Sequence, residues 1–304
     1  MPKPTLIEVT PAEDGQKLLT FLERRLPGVP YAALMRVIRT GQVRVDGGRK
    51  KPFFRLAAGS LVRVPPLEPG EAPAPRAHPA GLAIVHRDRD ILVVAKPAGL
   101  CVQGGTGQTD SVDHRLRALF AGEPFVPALA HRLDRDTSGL LLVGRTHAGV
   151  RRLAGLFKSG GIGKTYLCWV RGVWPHERPV RIKDYLEKGG EAGDPERVRV
   201  RRRGQGGRLA LAEVLRLLVR GQVSLLAVKL LTGRTHQIRV QLASRGHPLV
   251  GDAKYGGPAE RKAKVSLRLH AFRLALPERA FVLAPDWEGE WAAPVEALAR
   301  AEAF

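Results

Sequence analysis

Residues 131–138, His-Arg-Leu-Asp-Arg-Asp-Thr-Ser, place an imidazole, two guanidiniums, two carboxylates and two hydroxyls in eight consecutive positions. Asp134 is flanked by Arg132 and Arg135, and a nearby guanidinium favours the ionised form of a carboxylate. An ionised, positioned carboxylate can act as a nucleophile, as a general base, or as a charge that steadies a developing cation. Two other readings are open on residue types alone. The segment can be a surface loop laced with ordinary ion pairs. It can also ligate a metal through His131, Asp134 and Asp136, although it lacks further His or Cys at ligand spacing.

The elements around this segment fit a positioning role. Gly139 permits a turn, and the apolar run 140–143 reads as a short buried strand. Such a strand supplies rigidity while the polar loop supplies exposure. The chain has 304 residues, enough for two domains, and its hydrophobic content of 44% allows a real core. Lys and Arg number 50 against 29 acidic residues, a net charge of +21. That excess points to a polyanionic partner. No apolar stretch approaches the ~20 residues of a membrane span. No signal-peptide core and no basic amphipathic membrane-binding helix are visible, so nucleic acid is favoured over a membrane. Only two cysteines, Cys101 and Cys168, are present. Neither a disulfide framework nor a zinc pattern can be built from them, and a reducing, cytoplasmic compartment is expected.

In chain order, residues 14–64 read as two helices followed by short strands. Leu18, Leu22 and Leu26 lie on one helical face, with a stop at Pro27, Gly28 and Pro30; Leu34, Val37 and Ile38 mark a second helix. The run 41–48 reads as a strand entering a tight loop, and 61–64 as another strand. Residues 1–64 hold 12 Lys and Arg against 5 acidic residues, a bias suited to phosphate contacts. Six prolines in residues 65–82 read as an extended linker. Beyond it, residues 84–96 read as two strands around a polar turn. The Gly-rich run from Gly104 lacks the spacing and Lys of a P-loop. Residues 148–157 read as a short basic helix, 163–172 and 223–231 as strands, and the Arg- and Gly-rich stretch 178–222 as a basic hairpin or loop. A final amphipathic helix begins near Pro294.

The run His131-Arg-Leu-Asp-Arg-Asp-Thr-Ser-Gly-Leu-Leu-Leu-Val143 resembles the signature of the RluA family of pseudouridine synthases. Further likenesses lie in Asp90-Ile-Leu-Val-Val-Ala-Lys-Pro-Ala-Gly-Leu100, Thr232-Gly-Arg-Thr-His-Gln-Ile-Arg239 and Gly246-His-Pro-Leu-Val-Gly-Asp-Ala-Lys-Tyr-Gly256. The resemblance implies that Asp134 is the catalytic residue and that Arg239 pairs with it. It also implies that Tyr166, in a Lys-x-Tyr motif, contacts the target uracil; an aromatic ring can stack on a base and its hydroxyl can move a proton. His247 and His270 are read as structural. Gln241 stands where relatives often have His.

Residues 31–65 resemble an S4 RNA-binding domain, whose likeness makes Arg36, Arg39, Arg44, Arg49, Lys50 and Lys51 the RNA-facing cations. His131, Arg132 and Arg234 are placed among the RNA contacts by the same motifs. The implied architecture is α+β, with an S4-type domain at 1–64, a linker at 65–82, and a catalytic domain at 83–304 on a mixed, mainly antiparallel sheet. The implied activity is that of the RluC/RluD subgroup: isomerisation of uridine to pseudouridine in large-subunit (23S) ribosomal RNA, by a cytoplasmic monomer without cofactor or metal. Two rivals stand beside it. One is a non-catalytic RNA-binding or ribosome-assembly protein. The other is an RNA glycosidase or nuclease using Asp134 and Asp136.

Overall fold

The computed structural model describes residues 4–26, 28–67, 81–104, 110–123, 125–189, 197–202, 204–262 and 265–304. Most of the Pro-rich run at 65–82 and the Gly-rich run after Gly104 lie outside these residues. Two compact units are formed. The first holds Met1–Val93, Gln103–His131 and Leu142–Gly155; the second holds Val94–Val102, Arg132–Leu141 and Leu156–Phe304.

The first unit begins with β1 (Thr5–Glu8), α1 (Leu18–Arg25), α2 (Tyr31–Arg39), β2 (Arg44–Val45) and β3 (Leu61–Val64). β3 pairs antiparallel with both β1 and β2. Leu18 and Leu22, one turn apart on α1, pack with Leu34 and Ile38 of α2 and with Val62 of β3. The turn after β2 uses Asp46 at φ 49° and Gly47 at φ 75°. Left-handed backbone at both central positions is the pattern of a tight Asp-Gly hairpin turn. The same unit continues with β4 (Ala83–Arg87), β5 (Ile91–Lys96), α3 (Val112–Leu119), β6 (Ala128–Leu129), β7 (Ser138–Gly144) and α4 (His147–Ser159). The polar turn between β4 and β5 is closed by Asp88, whose carboxylate accepts the N–H groups of Asp90 and Ile91. Ser111 caps α3 by accepting the His114 N–H.

The chain passes from one unit to the other inside β5, inside β7 and inside α4. In the second unit follow β8 (Gly163–Arg171), β9 (Val180–Lys188), β10 (Val198–Arg201), β11 (Arg208–Arg220), β12 (Val223–Leu230) and α5 (Gln237–Ala243). They are succeeded by α6 (Gly257–Lys262), β13 (Leu269–Ala275), β14 (Ala280–Val282) and α7 (Val295–Ala303). Strand order across this unit is β10-β9-β11-β12-β8-β13-β7, with β14 on β13. β13 runs parallel to β7, whereas its pairing with β8 is antiparallel. The architecture is therefore α+β with a mixed sheet. Leu167, Trp169, Leu225, Phe272 and Trp291 form one core, closed by Ala297 and Ala301 of α7.

Two local expectations change. The stretch 178–222 supplies three strands, β9 to β11, rather than one hairpin or loop; residues 190–196 and 203 are outside the description. Its cations are partly neutralised across the sheet, by Arg181 with Glu213 and Arg201 with Glu187. Gly139 does not make a turn before the strand but lies inside β7 at φ 111°. A Cβ there would stand 2.4 Å from the Ala271 carbonyl oxygen. Only a glycine lets β7 approach β13 this closely.

Candidate active site

Asp134 sits in the loop that feeds β7, at the first position of a turn closed by the Thr137 N–H on the Asp134 carbonyl at 3.2 Å. The loop is held from below by Lys96 at the end of β5. Its buried ammonium donates to the carbonyl oxygens of Pro97 at 2.9 Å, Leu100 at 2.7 Å and Arg135 at 2.7 Å. Three N–H groups of an ammonium meet three carbonyls, which satisfies all of them in the interior. Burial pushes the Lys96 pKa down to about 8, against the pull of Asp136, Cys101 and Asp134. At neutral pH the three-donor form therefore predominates.

β7 itself is pinned to β13 by side chains. His270 and Ser138 are register partners, with His270 Nδ1 2.8 Å from the Ser138 hydroxyl. His270 Nε2 lies 2.9 Å from the Leu283 carbonyl. A carbonyl only accepts, so Nε2 carries the proton and Nδ1 accepts from Ser138. Burial lowers the His270 pKa to about 4, which keeps the ring neutral.

The guanidinium that reaches Asp134 comes from α5, not from its sequence neighbours. Arg135 pairs with Asp136 at 3.0 Å. Arg239 donates one N–H to Asp134 Oδ2 at 3.3 Å. Its other two nitrogens, Nε and the second terminal one, form a bidentate pair with Asp252, each at 2.8 Å. The Asp252 side chain is 0% exposed and also accepts the backbone N–H groups of Lys254 and Tyr255 at 3.0 Å. Burial opposes the charge on Arg239, but Asp252 and then Asp134 outweigh it and raise its pKa.

α5 is held on the sheet by its glutamines. Gln237 donates to the Leu211 carbonyl at 3.0 Å. Gln241 donates to Asp184 at 2.7 Å and to the Ala210 carbonyl at 3.3 Å. The amide at 241 thus bonds both a carboxylate and a backbone carbonyl of the sheet.

Tyr166 on β8 pairs with Val228 of β12 and Ala271 of β13. It is 8% exposed. Burial, reinforced by the charge of Asp134, raises its pKa above the ordinary phenol value. The hydroxyl is therefore protonated throughout the neutral range. It can donate a hydrogen bond and offer a ring face, but it is no phenolate base.

Arg36, Arg39, Arg49 and Lys51 are exposed in the first unit, and Arg44 and Lys50 are half-buried. Arg49 donates to the Arg39 carbonyl. His131 Nε2 accepts the Leu142 N–H at 2.9 Å, so that nitrogen is engaged by backbone. Arg132 and Arg234 are exposed, and Arg234 Nε donates to the Leu209 carbonyl at 2.9 Å. Among the described residues, no group of three His, Cys, Asp or Glu is placed to hold a metal ion.

Sequence reasoning assigned no role to Lys96, His236, Asp252 or Tyr255, although all four lie within the motifs it quoted. Their signal was present but undirected: a lysine ending an apolar run, and a carboxylate and a phenol in a Gly-dense loop. Asp252 gives Arg239 its fixed orientation, and His236 lies beside Asp134, with Nε2 3.9 Å from Oδ2.

Residues 90–244 match the family model described as RNA pseudouridylate synthase. The chain is 37% identical over 272 residues to ribosomal large subunit pseudouridine synthase C of Escherichia coli (strain K12), covering 84% of this chain and 81% of that protein. It is 35% identical over 259 residues to the protein of the same name from Haemophilus influenzae, covering 83% and 79%. Among solved structures, human RNA pseudouridylate synthase domain containing 1 superposes with a TM-score of 0.58. That likeness is 30% identical and covers 69% of this chain and 86% of that one.

Proposed function

Because the chain belongs to the RNA pseudouridylate synthase family, we propose that it isomerises specific uridines of large-subunit (23S) ribosomal RNA to pseudouridine. The N1–C1′ glycosidic bond breaks, the uracil turns, and a C5–C1′ bond forms. The C5 proton is lost and N1 gains one, so nothing is consumed and no cofactor is required. Relatives with this substrate in their names, the two pseudouridine synthases C, align over most of the chain. The observation that carries the reading is the Asp134 carboxylate, held on one oxygen by Arg239.

Asp134 is the reacting group in this reading. Three routes fit it: attack at C1′, addition to C6 of the uracil, or removal of a ribose proton to give a glycal. Arg239 aims the carboxylate through a charge-assisted hydrogen bond. The Tyr166 ring packs on the uracil, and its protonated hydroxyl faces the base as a donor. The target nucleotide leaves its stack, at a cost of a few kcal/mol, and phosphate contacts offset that cost. We assign these contacts to an S4-type unit at residues 1–64, with Arg36, Arg39, Arg44, Arg49, Lys50 and Lys51 facing the RNA. Arg132 and Arg234 bind near the site, and His131 holds the loop before Asp134 to β7. Two unpaired cysteines support a reducing, cytoplasmic setting, and one copy suffices because the named catalytic residues come from a single chain.

The test follows tritium released to water from C5-tritiated ribosomal RNA. Wild-type protein is expected to release it and Asp134→Asn protein not to, with the RNA left at full length. Equal release by both proteins rejects Asp134 as the reacting group. A cut strand or free uracil rejects isomerisation.

A further inference from the structure

His236 is held by more constraints than its place in the mechanism so far explains. It precedes α5 with φ 51° and ψ 23°, a left-handed conformation that side chains rarely adopt outside glycine. Its ring is fixed as well. Nδ1 lies 2.8 Å from the Tyr255 hydroxyl, and the two rings meet edge to face at 5.6 Å. The Tyr255 hydroxyl in turn accepts the Val198 N–H at 3.0 Å. A hydroxyl has one proton, and with its oxygen accepting from Val198 that proton is free to point at Nδ1. With that proton given to Nδ1, a neutral ring carries its own hydrogen on Nε2.

Nε2 faces the reacting carboxylate. It stands 3.9 Å from Asp134 Oδ2, the same oxygen that takes the Arg239 N–H. Asp134 Oδ1 has no hydrogen bond among the described residues. We propose that His236 is a positioning residue for Asp134: its Tyr255-locked Nε2–H joins Arg239 on one carboxylate oxygen and leaves the other aimed at the target nucleotide. The inference rests on the reading of Asp134 as the reacting group.

The distance of 3.9 Å is longer than a hydrogen bond in the unbound site, and such contacts often tighten when substrate binds. The surroundings favour a neutral ring. Burial lowers the His236 pKa, Arg239 and Lys254 act in the same direction, and Asp134 and Asp252 oppose them. A neutral donor steers the carboxylate without adding a second cation beside Arg239. The carboxylate then keeps its reactivity, whereas a fixed imidazolium would compete for it as a full counter-charge.

The test joins a spectrum to a rate. In protein labelled with 15N-histidine, the His236 ring is expected to show a bare Nδ1 and a protonated Nε2, and Tyr255→Phe is expected to yield a mixture of the two tautomers. In single-turnover tritium release, His236→Ala is expected to lower the maximal rate about ten- to a hundredfold, with the half-saturating RNA concentration unchanged. His236→Gln, whose amide nitrogen reaches the place of Nε2, is expected to recover most of that loss. Active wild-type protein with the proton on Nδ1 overturns the tautomer and the proposal with it. So does a wild-type rate in His236→Ala, a defect confined to RNA binding, or His236→Gln no better than alanine. A wild-type protein that releases no tritium instead removes the functional reading beneath, and the spectrum distinguishes the two failures.

Discussion

Arg239 performs two tasks that pull against each other. It must be rigid enough to aim Asp134, yet it sits largely buried, where an unpaired charge is costly. Asp252 resolves this by taking the fork of the guanidinium in a bidentate grip, with two backbone N–H groups fixing its own carboxylate. One Arg239 nitrogen is left over for Asp134. The expected consequence is that Asp252→Asn damages stability and catalysis together. Breaking a buried pair from one side costs about 3–5 kcal/mol, readable as a fall in the urea midpoint. Loss of aim at Asp134 is expected to reduce the single-turnover rate about a hundredfold. If the rate survives at the wild-type level in folded Asp252→Asn protein, the aim of Arg239 does not depend on Asp252.

Among the elements, β7 and the loop before it matter most, because they set where Asp134 stands. Lys96 ties the loop through the Arg135 carbonyl, and Gly139 lets β7 close on β13. His270 joins the two strands as a neutral ring between Ser138 and Leu283. This last contact makes a pH-dependent contribution to stability. The folded pKa, pushed down to about 4 by burial, lies below the ordinary 6.5. Between these values the unfolded chain binds the proton and the folded chain does not. Stability from this residue is therefore complete above the ordinary value and is lost as pH falls towards the folded one, by about 3 kcal/mol at most. Urea unfolding of His270→Gln is expected to show a correspondingly shallower loss than wild type between about pH 6.5 and pH 4. Parallel curves would mean that another group carries the acid sensitivity.

At the scale of the whole molecule, the net charge of +21 sets how RNA is approached. Each cation that neutralises a phosphate releases counterions, and the logarithm of the binding constant then falls with the logarithm of salt. Arg36 and Arg39 are exposed on α2 and belong to no catalytic contact. The double change to alanine is expected to weaken RNA binding and to reduce the salt slope by about one per cation removed. The single-turnover rate at saturating RNA is expected to stay at the wild-type value. An unchanged slope would show that these arginines face water rather than phosphate.

Much of this was written in contiguous sequence. The helices of the first unit follow from leucine spacing, since i and i+4 share a face whatever lies beyond. The strand that follows Asp134, β7, reads from its apolar run. The catalytic candidates Asp134 and Arg239 were legible through the resemblance of their motifs to a known family; on residue types alone the Asp134 segment could equally be an ion-paired surface loop. What only the tertiary structure decided is the rest of the charge network. The family motifs already implied that Arg239, 105 residues away, meets Asp134, but nothing local to either residue pointed to Asp252 as the bidentate partner of the same guanidinium. Gly139 reads locally as a turn, and only the approach of β13 reveals a strand that needs a missing side chain. His236 and Tyr255 read as two polar residues in separate motifs until folding brings them to 2.8 Å. Local sequence governs backbone preference and burial pattern, which are short-range. Ion pairing and tautomers depend on groups that meet only when the chain closes on itself, so they are properties of the folded molecule.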